Sequence, residues 1–211
     1  WGRIRMPSKE AFTRLKNQGV DLESLDYARY NINDTLANRN DLELLLEVLS
    51  SIKDKDSNPC VITAMTIVAN PDFAKIKENG FQEYFYEPFT ETLRNYYPDE
   101  NVFDLWKEGI EKNLFFPQFH GREHLNVTAW LQALRMGHRN TSLAFDESMW
   151  GFVPDLGNEL NVEFQAAFQL TDRSALTKHE KIIVSGLNLF ETLFGYRAKY
   201  FVSPNGQINN V

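Results

Sequence analysis

The chain has 211 residues, of which 43% are hydrophobic and 24% are charged, and these values fit one globular domain with a substantial core. The formal net charge of -7 argues against a nucleic-acid or anionic-membrane surface, since either would need a basic patch. The single cysteine, Cys60, excludes an internal disulfide framework and a thiolate metal cluster. No run approaches the roughly 18 apolar residues that a membrane-spanning helix needs.

The first quarter of the chain predicts two helices separated by a polar loop. Ser8 is a suitable N-cap for a helix over residues 9–18, which ends at a glycine. Residues 21–40 are mostly polar and are interpreted as a loop. Asp41 is then predicted to cap a leucine-rich helix over residues 42–52.

An apolar, β-branched run over residues 60–68 predicts the first strand. Because the run is apolar on both faces, it is typical of a parallel strand covered by helices. Asn70 and Asp72 follow at the carboxyl end of this strand, where binding groups gather in α/β folds. The sequence then predicts three helices, over residues 73–79, 89–95 and 101–112.

A second apolar run, residues 114–119, ends on His120, and His124 follows four residues later. If a helix begins near residue 121 and continues through 126–136, the two imidazoles converge on one space. Converging imidazoles suit a divalent first-row metal ion, for which a third ligand must come from elsewhere. The alternative is a pair of solvated or hydrogen-bonded histidines.

The last third of the chain is less regular. Residues 143–146 are interpreted as a short strand end, residues 147–161 as an irregular loop, and residues 162–170 as either strand or helix. A helix over residues 178–194 is predicted to begin at Thr177, and residues 199–203 are strand-like. Strands alternating with helices predict an α/β fold with a parallel sheet.

A strand that closes on His-x-x-x-His, followed later by a strand ending in Pro-x-Gly, resembles the polysaccharide deacetylase family. His120 and His124 match the histidine motif, and residues 201–206 resemble the wall of that family's groove. Trp1 and Gly2 resemble the residues after the family's catalytic aspartate pair, which would then lie upstream of Trp1. The resemblance implies one domain, an irregular (β/α) barrel of about seven strands over residues 1–211, incomplete at both ends, with a loop insertion around residues 145–161.

The resemblance also implies an activity. It predicts a metal-dependent hydrolase that removes an acetyl group from an N- or O-acetylated carbohydrate. His120 and His124 would bind the divalent metal ion, which is expected to be zinc. The catalytic base and acid are not assigned, because the expected aspartates lie upstream. The predicted substrate-binding residues comprise two aromatic residues that could stack on sugars, one strand-end amide and two groove-wall residues: Trp1, Trp150, Asn70, Pro204 and Asn205.

Other features leave an alternative open, namely a carbohydrate-binding or structural barrel without catalysis. Gly121 replaces the family's hydroxyl residue, and no arginine precedes Pro204. Glu123 is interpreted as complementing a helix dipole or orienting a metal ligand. The remaining candidates are assigned ordinary roles, the carboxylates as turns or caps and the histidines as solvated groups: Asp72, Asp146, Asp155, His138 and His179. The compartment is not predicted.

Overall fold

The computed structural model describes residues 1–23, 28–151, 163–170 and 173–206. Within these ranges the fold is α/β, with nine helices and four strands that form two sheets of two strands each. The strands are β1 (Ile62–Ile67), β2 (Ala69–Pro71), β3 (Tyr86–Pro88) and β4 (Phe115–Gly121). The helices are α1 (Lys9–Asn17), α2 (Ala28–Asn33), α3 (Arg39–Ser51), α4 (Phe73–Glu78), α5 (Phe89–Tyr96), α6 (Val102–Glu111), α7 (Val127–Arg135), α8 (Arg139–Asp146) and α9 (Ala175–Phe194).

The predicted barrel of about seven strands is wrong. Residues 143–146, expected to be a strand end, belong to α8, where Thr141, Ala144 and Phe145 face the core at helical spacing. Residues 199–203 add only one parallel bridge, between Phe201 and Phe119. Short apolar runs fit a strand or one face of a helix equally well, so the pattern overstated the number of strands.

The two long apolar runs do form the centre of the fold. β1 and β4 pair in parallel, with Ile62 opposite Phe115 and Thr66 opposite Phe119. The main chain of Trp1 lies along the other side of β1, because its carbonyl oxygen accepts the amide of Ile67 at 2.8 Å. β2 and β3 form the second, antiparallel pair.

Helix caps explain where the first helices begin. The Ser8 hydroxyl accepts the amide of Ala11 at 3.1 Å, as its N-cap prediction requires. Asp41 is not the N-cap of α3 but the third residue of a capping box whose N-cap is Asn38. The predicted polar loop 21–40 therefore contains α2 and the beginning of α3.

Among the described residues, three apolar clusters form the core; the smallest joins α9 to β4 through Phe190 and Phe119, and two are larger. One lies under α7 and α8 and centres on Trp130, which has no exposed surface. The other joins α3, α5 and α6 to β4 and centres on Trp106 and Phe115. No helix in the described ranges is long and apolar enough to cross a bilayer.

Candidate functional site

A register shift in the central sheet displaces His120 from the regular ladder. Thr66 pairs with Phe119, whereas the next residue, Ile67, pairs with Gly121, so that His120 is the extra residue of a bulge. Bulges at strand ends redirect a side chain and are common beside active sites. Gly121 has a φ of 147°, in the region that favours glycine, which explains why no hydroxyl residue occupies this position.

His124 lies in the buried loop that joins β4 to α7, not on a helix. α7 begins only at Val127, with Asn126 as its N-cap, so the expected sharing of a helix face is wrong. The loop is held by its backbone, since the Arg122 carbonyl accepts the amide of Ala69 at 2.7 Å and the Asn126 amide donates to Phe164 at 2.6 Å. These contacts fix the position from which His124 turns back towards β4.

The two imidazoles nevertheless converge. The ring centroids of His120 and His124 lie 5.1 Å apart, with an angle of 65° between the ring planes. Two imidazoles on one tetrahedral zinc ion, with Zn–N bonds of about 2.0–2.1 Å, would place their centroids about 5 Å apart. The spacing of these rings therefore fits two ligands of one ion.

A backbone carbonyl sets the tautomer of His120. Nδ1 of His120 lies 2.7 Å from the Val202 carbonyl oxygen, which can only accept, so Nδ1 carries the hydrogen and Nε2 keeps its lone pair. Gln118 fixes the segment that supplies this carbonyl, because its Oε1 accepts the amides of Lys199 at 2.8 Å and Tyr200 at 3.0 Å. Metal-binding histidines commonly have such a partner on their second nitrogen.

His124 has a buried nitrogen that needs a partner. Its side chain is only 7% exposed, and in the described part of the chain Nδ1 has no hydrogen-bond partner. A buried polar atom without a partner costs about 1–3 kcal/mol. Burial lowers the pKa of His124 well below its ordinary value, and Arg3 and His120 add to the effect, so the ring is neutral and able to bind a metal at pH 7.

Both rings line a cavity of about 440 Å³ beside the carboxyl end of β1, which we call the histidine cavity. Trp1 and Trp106 form part of its apolar wall, and Arg3 and Asp34 form part of its polar wall. The cavity is within the usual size range of small-ligand sites, about 300–1,000 Å³. It can therefore admit a ligand larger than a single ion.

The carboxylates of this cavity already have partners. Asp34 forms an ion pair with Arg3, and Asp41 accepts the amide of Asn38 in the capping box. Within the described residues, no three His, Cys, Asp or Glu side chains are placed to bind one metal ion. The described residues thus supply two donors of suitable type and spacing, where catalytic zinc usually has three protein ligands.

The two residues that precede His124 form a buried ion pair. Nε and Nη2 of Arg122 donate to Oε2 and Oε1 of Glu123 at 2.6 and 2.8 Å, and Glu123 is only 1% exposed. The guanidinium carbon lies 4.1 Å from the ring centroid of Tyr86, and Nη1 donates to Ser185 at 3.0 Å. Glu123 therefore does not complement a helix dipole, which was one of the two interpretations. Together with Arg122 it anchors the loop of residues 122–126 between β4 and α7, which we call the histidine loop.

Two of the predicted substrate-binding residues, Asn70 and Trp150, are buried and face the core in this structure. Asn70 is 2% exposed; its Oδ1 accepts the Ile4 amide and its Nδ2 donates to the Gly2 carbonyl, both at 3.0 Å. It therefore joins the N-terminal segment to β2. Trp150 is 1% exposed and packs beneath His124, with ring centroids 6.4 Å apart. A buried indole cannot stack on a sugar.

The other three predicted substrate-binding residues differ in accessibility. Trp1 lines the cavity and is 41% exposed, so its indole is accessible to a ligand. Pro204 is buried next to Gly121, so its side chain does not form an exposed wall of a groove. Asn205 is exposed, but its Nδ2 donates to Glu163 at 2.6 Å.

The remaining candidates divide into caps and buried groups. Asp72 caps α4, and His138 caps α8, where its Nδ1 accepts the amide of Thr141. Asp146 pairs with a lysine on the surface. Asp155 and most of the predicted insertion 145–161 lie outside the described residues. His179, interpreted as solvated, is only 7% exposed and packs edge-on against Phe168.

Buried neutral histidines predict a dependence of stability on pH. Burial lowers the pKa of His179, as it does for His120 and His124, so below pH 6.5 the folded chain binds fewer protons than the unfolded chain. We expect the free energy of unfolding of the metal-free protein to fall between pH 7 and pH 5, by at most about 1.4 kcal/mol per pH unit for each histidine.

His179→Leu tests this prediction because it removes one of these groups. Chemical denaturation at pH 7, 6 and 5 with a chelator present should give a smaller loss of stability in the variant than in the unchanged protein. An equal loss in the two proteins would show that His179 does not contribute.

Sequence reasoning missed the groups that join segments far apart in the chain around the two histidines. The carbonyl of Val202 and the amide side chain of Gln118 carry no local signal, because their roles depend on how the segment 199–202 meets β4. The Arg3–Asp34 pair likewise joins segments far apart in the sequence. Comparison of the chain with protein-family models, curated proteins and solved structures gave no match.

Proposed function

We propose that this protein is a metal-dependent hydrolase that removes an acetyl group from an N- or O-acetylated carbohydrate, with His120 and His124 as two metal ligands. The observation that carries the proposal is the pair of imidazoles, 5.1 Å apart in a cavity, one of which has a buried nitrogen without a described partner. The acetyl group and the carbohydrate come from the resemblance of the His-x-x-x-His and Pro-x-Gly segments.

Each histidine has a defined part in this proposal. A bound divalent ion would polarise the acetyl carbonyl and lower the pKa of a water molecule. His120 would bind through Nε2, because the Val202 carbonyl occupies Nδ1. His124 would bind through its buried Nδ1, and the Arg122–Glu123 pair would hold its loop in place.

The cavity walls offer contacts that suit a sugar. Trp1 presents an indole that is fixed by edge-to-face contacts with Phe115 and Trp106, at centroid distances of 5.1 and 6.0 Å. A rigid aromatic face can pack against the apolar C–H face of a pyranose ring at little entropic cost. Arg3 and Asp34 line the polar part of the same cavity. The Asp34 carboxylate can accept hydrogen bonds from sugar hydroxyl groups, and the Arg3 guanidinium can donate to them.

A second candidate is a carbohydrate-binding protein without catalysis. It is favoured by the state of the carboxylates described in the cavity, since Asp34 is paired with Arg3 and Asp41 accepts the Asn38 amide in the capping box of α3. On this reading the aromatic and polar walls bind a sugar, while the described residues give neither a third metal ligand nor a free general base.

Metal removal distinguishes the two candidates. We expect the protein loaded with zinc to release acetate from N-acetylglucosamine oligomers or acetylated xylan, to lose this activity with a chelator, and to regain it when zinc is restored. Sugar binding without acetate release would support the second candidate. Neither acetate release nor sugar binding would contradict both.

A further inference from the structure

A second cavity, of about 270 Å³, lies between α7 and α9, on the other side of the histidine loop. Four cationic side chains line it: Arg122, Arg135, Lys178 and Lys181. None of the residues that line it is acidic, although the chain has 29 acidic residues against 22 Lys and Arg. Positive charge is therefore concentrated at this place in an acidic protein.

Three of these cations have no carboxylate partner among the residues that the structure describes. Arg122 pairs with Glu123, but Arg135, Lys178 and Lys181 form no ion pair with the described residues. Within the described ranges, Arg135 donates only to the carbonyl oxygen of Gln82, at 3.5 Å. The cavity thus has an excess of positive charge.

The arrangement of the lysines opposes the stability of their own helix. Lys178 and Lys181 are exposed and three residues apart on α9, where like charges repel. Lys178 is also close to the beginning of α9, whose first turn has no acidic residue, and a cation there is unfavourable beside the helix dipole. An anion bound between these side chains would relieve both effects.

The floor of the same cavity is apolar. Val127, Leu131 and Ile182 line it, together with the ring of Tyr84. Inorganic phosphate would leave this surface unused, whereas an organic anion with a short apolar body would contact both the floor and the cations. At about 270 Å³ the cavity lies just below the usual range for small-ligand sites, which favours a small ligand.

We infer that this cavity binds a small, soluble organic anion that consists of a carboxylate or phosphate head and a short apolar chain. The head lies between Arg135, Lys178 and Lys181, and the chain contacts Leu131 and Ile182. The inference does not depend on the proposed hydrolase function, because none of these five residues lines the histidine cavity. The cations come from α7 and α9, so no local run of Lys and Arg marks the site in the sequence.

Calorimetry with octyl phosphate tests the inference. We expect one site on the full chain and a loss of affinity of about tenfold or more when Arg135→Ala, Lys178→Ala and Lys181→Ala are combined. The matched control combines Lys9→Ala, Lys53→Ala and Lys55→Ala, which removes the same charge from other exposed positions and should leave the affinity unchanged. Octyl glucoside, with no charge, and inorganic phosphate, with no chain, should both bind at least about tenfold more weakly.

Several outcomes would overturn the inference: equal binding by the triple variant, an equal loss in the control, or equal affinity for octyl glucoside or inorganic phosphate. Binding only to vesicles that contain phosphatidylglycerol, and not to monomeric octyl phosphate, would identify a membrane surface instead and would also overturn it. The variant His120→Ala with His124→Ala should keep its affinity for octyl phosphate. This last result separates the anion site from the proposed metal site.

Discussion

Glu123→Ala should lower the free energy of unfolding by about 3–5 kcal/mol. The substitution would leave Arg122, whose side chain is only 10% exposed, without the carboxylate that accepts from its Nε and Nη2. A buried charge that loses its partner is far more costly than the lost attraction of the pair, since the protein has displaced the water that would otherwise solvate it. Urea denaturation of the two proteins at pH 7 measures the difference.

Two further variants make this result specific. Asp146→Ala removes an ion pair with Lys77 whose side chains are 60% and 66% exposed, and it should cost less than about 1 kcal/mol. Arg122→Met combined with Glu123→Leu replaces the whole buried pair with apolar groups and should be more stable than Glu123→Ala alone. If Glu123→Ala costs no more than Asp146→Ala, the pair does not anchor the loop.

His120→Ala and His124→Ala should each weaken zinc binding by more than about a hundredfold. A loss of about 10–100-fold is typical when a residue that only hydrogen-bonds to a metal ligand is removed. Each change removes one of the two described nitrogen donors that meet in the cavity. Elemental analysis after dialysis, with titration against a competing chelator, should find about one zinc per chain only in the unchanged protein. Acetate release should disappear with the metal.

His138→Asn is the matched control for these variants. His138 caps α8 and does not line the histidine cavity, and asparagine keeps an acceptor for the same cap. Its zinc content and affinity should equal those of the unchanged protein. An equal zinc content in the unchanged protein and in a variant without both His120 and His124 would contradict the proposed site.

The sequence was sufficient to predict the elements that bring the histidines together, but not how they do so. The apolar runs of β1 and β4 are strands, as their patterns predict; β4 is largely buried on both faces, whereas one face of β1 carries the exposed Thr63. The convergence of His120 and His124, however, depends on a bulge and a loop, not on a helix face. Bulges arise from pairing with a distant strand, which local patterns do not encode.

The unexpected burial of Asn70 and Trp150 has a common cause. Amide and indole groups at the ends of elements suit ligand binding, but they also suit the hydrogen bonds and packing that close a core. Asn70 binds backbone groups of the N-terminal segment, and Trp150 lies under His124. Only the burial of each side chain, which depends on the whole fold, separates the two roles.

The central claim is that His120 and His124 bind one metal ion together. Long-range ¹H–¹⁵N NMR of the four histidines during a zinc titration tests it most directly, since His138 and His179 serve as internal controls. We predict that Nε2 of His120 and Nδ1 of His124 shift together and stop shifting at about one equivalent of zinc. If zinc shifts neither nitrogen, or shifts that of only one of the two histidines, the claim is wrong.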